Sequence, residues 1–548
     1  KVEPLARALE KSREAGYRVG EAEALTGRSR ALRRLGRLTE AGGALAQAVP
    51  LFESARASIA NPELRASFLA ARRQAYELRI DLLVDLGRSA EALAVSEQAR
   101  ARSLLDLLEE ALTDLREGVD PALKERLAAA RERLQAKTER RLRLQAAGAT
   151  TERLAAVERE IAGLVEDVEA AQAEIRRASP RYAALAEPRP LQATEVEALL
   201  DPETLLLEIA LGEERSVLWA VDSRSVRAFA LPPRARIEAL ARRVYQGWSA
   251  VEAGEARAAR KAHAAASREL GRLLLGPVED RLPRRLVFVP DGALHYVPFA
   301  ALSAPRTPTV PLLAQHVVVA LPSATVLAVQ RQALGDRPAA PRTLAVLADP
   351  VGLGASFARL PLARREAQGI AALVPAAQRW VALGAAANRG AATSGELARY
   401  RFVHFATHTR VDMGLPALSG VLLSAAQEGG APRSGLLSLE DIYNLRLAAD
   451  LVVLSGCETA LGREIRGEGL VGLTQGFFQA GARRVVASLW PVEDRATAEL
   501  MLRFYRAMLP GGRAPAEALR EAQLALSRDR RFRDPYHWAG FVLLGEWN

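Results

Sequence analysis

Between Pro180 and Pro190 the 548-residue chain changes character, and this change limits its possible folds more than any other feature. Upstream, Ala, Leu, Arg and Glu dominate and apolar residues recur at helical spacing. Downstream, short β-branched runs alternate with helical stretches. Strands are expected at 204–209, 216–221, 286–289, 317–321, 343–347, 402–405, 421–424, 451–454, 484–489 and 539–544, and helices at 237–251, 324–332, 362–373, 470–479, 495–508 and 514–527. Near-continuous apolar strands separated by helices predict a largely parallel sheet covered on both faces. The expected fold class is therefore helical upstream and α/β downstream.

The upstream part contains a self-match. Leu35-Gly36-Arg37-x-x-Glu40-Ala41 returns as Leu86-Gly87-Arg88-x-x-Glu91-Ala92, an offset of 51 residues (86 − 35). In each copy one helix ends at a glycine and another begins just after it. Residues 1–112 resemble tetratricopeptide repeats, whose period is about 34 residues, so at least one repeat here is lengthened. A plain helical bundle is the alternative. Residues 113–189 read as two long charged helices broken near Ala147-Gly148-Ala149, a helical hairpin or short coiled-coil linker.

Composition narrows the function classes. The formal charge of +10 invites nucleic acid as a partner, but the arginines are spread out and alternate with Glu, as in Arg131-Glu132-Arg133. That is the pattern of solvated helix faces. A single cysteine excludes an internal disulfide and a Cys-rich zinc site. No run of about 18 apolar residues appears, and Lys1-Val2-Glu3-Pro4 lacks the layout of a secretion signal. The expectation is a cytoplasmic protein without membrane association, and a start at Lys1 rather than Met is compatible with a longer protein upstream.

In a parallel sheet, chemistry gathers beyond the carboxyl ends of the strands. His408 follows the run Arg401–Phe405, and Cys457 follows Leu451–Ser455. A thiolate attacks a carbonyl and a thiol does not, so a lone cysteine needs a base nearby. The interval of 49 residues (457 − 408) matches the roughly 50-residue His-before-Cys spacing of caspases, although the local caspase signature is absent. His404 sits inside its strand, whereas His408 lies past the end, where a side chain reaches a cleft. The backbone N–H of Cys457, after the flexible Ser455-Gly456, is a candidate oxyanion donor.

Four blocks extend this reading: His404-Phe405-Ala406-Thr407-His408-Thr409, Leu454-Ser455-Gly456-Cys457-Glu458-Thr459-Ala460, Glu468-Gly469-Leu470-Val471-Gly472-Leu473 and Ala487-Ser488-Leu489-Trp490-Pro491-Val492-Glu493-Asp494. They resemble the consecutive signatures of the CHAT family, caspase-like domains associated with tetratricopeptide repeats. The likeness continues upstream through Val289-Pro290-Asp291-Gly292 and Leu321-Pro322-Ser323-Ala324, and covers about residues 190–548. It implies a Cys457/His408 dyad in a cysteine endopeptidase, a degenerate pseudo-caspase half at 190–335 and an active half at 336–548. By resemblance to caspases, the N–H of Thr409 is the second oxyanion donor, where many relatives carry Gly. Similarity to separases implies a substrate pocket formed by Trp490, Glu493 and Asp494, with a helix N-cap as the competing role for the acidic pair. Ser455 stands where some arginine-cleaving relatives carry Asp. The implied setting is bacterial signalling, cell death or antiphage defence, with a protein substrate and an activator protein at the helical repeats.

Other motifs carry less. Gly467-x-Gly469-x-x-Gly472 fits a dinucleotide fingerprint but does not follow its strand directly, and reads as a tight helix entry. His404 and His408 have zinc-helix spacing but lie on strand and loop without the required Glu, so no metal site and no cofactor are expected. Arg463 and Arg466 favour a thiolate only if their loop folds back over it. The rival readings are a catalytically inactive interaction scaffold and a nucleic-acid-binding regulator.

Overall fold

The computed structural model describes the chain except residues 1–2, 58, 60–61, 101–103, 106–107, 109–119, 147–148, 179–189, 250–256, 336, 354–356, 358, 413–418, 429–430, 434, 457–461, 466–468 and 548. Cys457, Arg466, the Pro180–Pro188 boundary and the Ala147-Gly148 break therefore lie outside the described residues.

Five helices open the chain: α1 (Glu3–Glu14), α2 (Arg18–Arg34), α3 (Leu38–Ala57), α4 (Pro62–Asp85) and α5 (Ser89–Gln98). The turns at Gly36 and Gly87 adopt φ of 76° and 71°, a left-handed geometry that costs glycine nothing. Each is followed by the same three-apart ion pair, Arg37–Glu40 and Arg88–Glu91. Helices α3 and α4 run to 20 and 24 residues, which accounts for the stretched offset of the self-match. Helices α6 (Pro121–Ala146) and α7 (Thr151–Ala178) then form an antiparallel hairpin closed over Leu127, Leu134, Val157, Ile161 and Val168.

The remainder is built around one 11-stranded sheet in the order β3-β2-β1-β4-β5-β18-β17-β14-β8-β6-β7. Its members are β1 (Thr204–Ala210), β2 (Ser216–Asp222), β3 (Ser225–Leu231), β4 (Arg285–Val289), β5 (Val317–Ala320), β6 (Arg342–Ala348), β7 (Arg379–Leu383), β8 (Tyr400–Ala406), β14 (Leu451–Leu454), β17 (Arg484–Ser488) and β18 (Phe541–Gly545). Helices α8 (Arg234–Ser249), α9 (Arg257–Leu275), α10 (Ala324–Leu334), α11 (Pro361–Ala371), α12 (Leu439–Asn444), α13 (Leu473–Gln479), α14 (Asp494–Met508) and α15 (Pro515–Arg528) connect the strands. Small sheets pair β9 (Thr409–Arg410) with β10 (Gly420–Leu422) and β13 (Leu436–Ser438), β11 (Ala426–Glu428) with β12 (Ala431–Arg433), and β15 (Gly462–Ile465) with β16 (Gly469–Gly472). A helical region followed by an α/β region is the class expected from sequence.

Every position of β14 and β17 is buried, as their uninterrupted apolar runs require. Parallel pairing joins β1, β4 and β5 on one side and β17, β14, β8, β6 and β7 on the other. The β1–β2–β3 meander and β18 against β17 are antiparallel. Strands from 204–320 and strands from 342–545 occupy separate stretches of the sheet and meet where β5 pairs β18 through one registered pair, Ala320 opposite Leu544. Beside this join lies an apolar cavity of about 70 Å³ lined by Phe299, Val319, Phe478, Phe541 and Leu543.

The repeats do not stand apart from the sheet. Core residues Val49, Tyr76, Ile80 and Leu93 are continuous with the apolar interior around β1 and β2. Helix α6 also reaches α12, with Arg131 within 2.6 Å of Glu440 and 3.1 Å of the Asn444 side-chain oxygen.

Candidate active site

The carboxyl ends of the parallel strands form two rims, and the helices treat them differently. At the first rim, beyond β1, β4 and β5, helix α5 is inserted. Arg100 donates to the Pro290 carbonyl at 2.9 Å and lies 3.0 Å from the Glu208 carboxyl on β1. Glu97 accepts the N–H groups of Ala324 and Thr325 at 2.9 and 2.7 Å, capping α10, and the Thr325 hydroxyl at 2.6 Å. Four orphan N–H groups open any helix, so a carboxylate there is stabilising. This rim is filled by the protein itself.

The second rim lies beyond β14, β8 and β6. Strands β14 and β8 pair in parallel with Leu454 opposite Phe405, and the Ser455 N–H continues the ladder to the Phe405 carbonyl at 2.8 Å. His408 emerges past the end of β8, half-buried, with its ring 5.5 Å from that of Phe357. Its backbone is held by a short antiparallel ladder: Leu422 N–H donates to the His408 carbonyl at 2.9 Å, and the buried Thr407 hydroxyl donates to the Leu422 carbonyl. The neighbouring pair, Thr409 opposite Val421, falls at the non-hydrogen-bonded position of that ladder, which turns the Thr409 N–H away from β10. On the β14 side, Ser455 and Gly456 are buried and Cys457 is outside the described residues.

Beneath this rim sits a polar cluster that sequence reading did not assemble. His404 is fully buried on β8; its Nε2 lies 2.8 Å from the Glu366 carboxyl on α11, and its Nδ1 lies 3.3 Å from the Tyr505 hydroxyl on α14. Burial, with the Glu366 charge beside it, pushes the Tyr505 phenol well above its ordinary value. His404 is thus a partnered structural histidine, distinct in environment from His408. A second missed group is Asp349, just past β6. Its N–H reaches the Ala406 carbonyl at 3.3 Å, and its buried carboxylate receives Arg359 at 3.1 and 3.2 Å and Arg364 at 2.6 Å. It is the one non-glycine residue with positive φ among the described residues, at 50°. A carboxylate at a strand end, in Ala348-Asp349-Pro350, was the available signal.

The expected pocket residues occupy defined positions. Trp490 is fully buried, its indole N–H donating to the Tyr536 carbonyl at 3.1 Å, with the Tyr245 ring 6.4 Å away. Glu493 caps α14 through the Ala496 N–H at 3.1 Å, the N-cap role already weighed for it. Asp494 accepts the Leu362 N–H at 3.1 Å. Burial raises the Asp494 carboxyl, Glu366 and Glu493 add to the rise, and the Leu362 N–H and His408 oppose it. Asp494 is therefore within electrostatic reach of the candidate base. Among the described residues no cluster of His, Cys, Asp or Glu is arranged to hold a metal ion, and no helix is long and apolar enough to cross a membrane.

Comparison with known proteins adds the following. The family model for the CHAT domain matches residues 264–546. Tetratricopeptide repeat protein 28 of Mus musculus is 29% identical over 331 residues, a stretch covering 51% of this chain and 13% of that protein. The chain thus spans a small part of the length of this curated relative. The Saccharomyces cerevisiae separase in its complex with securin aligns with 99% of this chain and 48% of its own, at TM-score 0.43 and 11% identity. The Arg specific cysteine proteinase gingipain R aligns with 57% of this chain and 74% of its own, at TM-score 0.33 and 9% identity.

Proposed function

The chain belongs to the CHAT domain family, and on that premise we propose that it is a cysteine endopeptidase acting through Cys457 and His408, with residues 190–335 as a non-catalytic half and 336–548 as the catalytic one. The observation that supports this is the register of β14 and β8. With Leu454 opposite Phe405 and Ser455 bonded to Phe405, the chain enters Cys457 two residues after a point fixed against β8, while His408 follows Phe405 by three. Two reactive residues that follow matched positions of adjacent parallel strands in sequence, at two and three residues, support a shared rim.

The chemistry follows from those groups. The His408 imidazole takes the thiol proton, and the thiolate sulfur bonds to the peptide carbonyl carbon as the C=O π pair moves onto oxygen. The oxyanion is met by the N–H groups of Cys457 and Thr409. Collapse breaks the C–N bond, and the imidazolium proton leaves with the amine. Water then attacks the thioester carbon, giving one proton to His408; collapse breaks the C–S bond, the sulfur takes that proton back from the imidazolium, and the acid product loses its remaining proton to solvent. The substrate is a protein chain, and the trigger is a protein engaging the helical repeats in bacterial signalling or defence. The filled first rim accords with a half that organises and does not cut.

The test is cleavage of co-expressed candidate proteins by the full chain and by Cys457→Ala and His408→Ala. Loss of cleavage in both variants is the expected outcome. Undiminished cleavage by Cys457→Ala sinks the peptidase reading and leaves the binding scaffold.

A further inference from the structure

The cavity beside the β5–β18 join is lined from both stretches of the sheet, by residues between 290 and 322 and between 474 and 544. Its walls are mostly apolar and include the rings of Phe299, Phe478 and Phe541, yet His295, Thr474 on α13 and Gln523 on α15 line it too. Buried polar groups normally find hydrogen-bond partners, and these three are incompletely served. Gln523 is 3% exposed, and its amide has one orientation: Nε2 donates to the Trp538 and Phe541 carbonyls at 2.9 and 2.8 Å, so turning it over would set oxygen against oxygen. Both of its N–H bonds are used there, and Oε1 has no hydrogen-bond partner among the described residues. The same holds for both ring nitrogens of His295 and for the hydroxyl of the buried Thr474. Burial pushes the His295 imidazole down to about 4, with Asp291 opposing and Arg100 and Arg73 adding to the fall. At neutral pH the ring is therefore uncharged, one nitrogen donating and the other accepting.

These walls describe a ligand. A water-sized sphere needs about 10–15 Å³ of such space, so the cavity's 70 Å³ is room for roughly five to seven of them, the bulk of one six-membered ring with a substituent. Water filling it would need two to four polar partners per molecule, and the phenylalanine walls offer none. No lysine or arginine is among the lining residues, so an anion would lose its hydration without a counter-charge. An uncharged molecule with an aromatic body and one group that both donates and accepts matches the walls and the imidazole together. Apolar pockets with a few convergent polar groups, placed where two parts of a fold meet, are the usual form of small-molecule sites.

We propose that this cavity is a binding site for a small uncharged aromatic alcohol, with its ring among Phe299, Phe478 and Phe541 and its hydroxyl on His295. Such a ligand touches both stretches of the sheet beside the place where Ala320 stands opposite Leu544. The site does not depend on the peptidase reading, since none of the groups proposed for that chemistry lines it.

Phenol and toluene are the probes, because they differ only in a hydroxyl against a methyl group. Each is titrated against the full chain at neutral pH by ligand-observed NMR. Phenol is expected to bind saturably at one site, about tenfold or more tighter than toluene, which leaves the polar groups unpaired. His295→Phe keeps a ring and removes the nitrogens, and is expected to bring the two affinities together. Val319→Phe fills the void and is expected to abolish the binding of both. Urea midpoints show that each variant is folded; should Val319→Phe fail to fold, His295→Phe decides, and the wild-type comparison needs no variant. Absence of saturable phenol binding overturns the proposal, because water alone then serves the polar atoms. Equal affinities for the two probes in the wild-type chain overturn it as well, leaving a merely apolar void. So does a preference for phenol that survives His295→Phe, or binding that persists in folded Val319→Phe.

Discussion

Arg73 on helix α4 and Asp291, 218 residues later at the end of β4, meet at 3.2 Å with both side chains almost fully buried. Asp291 also receives the Leu211 N–H at 2.9 Å and lies 3.6 Å from Arg234. Burial alone would raise its carboxyl, yet Arg73, Arg100 and Arg234 together hold it well below the ordinary carboxylate range. The pair bolts the helical repeats to the sheet. Asp291→Ala leaves buried guanidinium groups without their counter-charge, so it is expected to cost about 3–5 kcal/mol of stability. Denaturant unfolding of the variant checks this, and a loss below about 1 kcal/mol would show that the joint is held by apolar packing instead.

The same joint carries a pH dependence. Glu208 is buried beside Glu97, and burial first, then the Glu97 charge, push its carboxyl well above the usual value against the pull of Arg100. A carboxyl raised on folding binds its proton more tightly in the native state. Its contribution is therefore complete below the ordinary carboxylate range and is lost as pH climbs toward the folded value, at up to about 1.4 kcal/mol per pH unit. Glu208→Gln, which keeps polar contacts without titrating, is expected to flatten this decline in melting temperature. Parallel pH–Tm curves for the two proteins would remove Glu208 as the cause.

The two histidines should respond oppositely to substitution. His404→Leu strands the Glu366 carboxylate in the interior and is expected to cost about 3–5 kcal/mol, with His404→Gln costing less because an amide N–H can still reach Glu366. His404→Gln should retain the pH profile of cysteine alkylation, whereas His408→Ala should lose it. Unfolding curves and alkylation rates measured on the same preparations decide the matter.

Close packing predicts a fourth effect. A Cβ added at Gly540 would stand 2.9 Å from Cε2 and 3.0 Å from Nε1 of the buried Trp490 ring. Gly540→Ala is expected to lower stability by about 1–3 kcal/mol, as overpacking does. Denaturant unfolding checks this, and an unchanged midpoint would refute it.

Much of this architecture was legible in the residues. The apolar runs that became β1, β4, β14 and β17 are buried over nearly their whole lengths, so hydrophobicity alone marks them. Strands β3 and β7 escaped because they are half-exposed edge strands with arginines in them, which blur the alternation. Residues 470–472, expected as the start of a helix, are instead the end of β16, since a run of Leu, Val and Gly cannot by itself distinguish the two. The place of His408 past the end of β8 was legible because a strand end is visible in sequence. Asp349, Glu366 and Tyr505 were not, because their partners are brought together by β6, α11 and α14 across tens of residues. The hydrogen bond from the Ser488 hydroxyl to the Gly456 carbonyl is of the same kind: a serine in an apolar strand gives no hint of which carbonyl it will meet.

The meeting of β5 and β18 through one registered pair, Ala320 opposite Leu544, has a structural consequence. With so short a ladder, the two stretches of the sheet are held by side chains that reach over the join as rivets hold a seam: Arg331 meets Glu546 at 2.6 Å, the Tyr245 hydroxyl donates to the Leu489 carbonyl at 3.2 Å, and Arg520 donates to the Leu313 carbonyl at 2.7 Å.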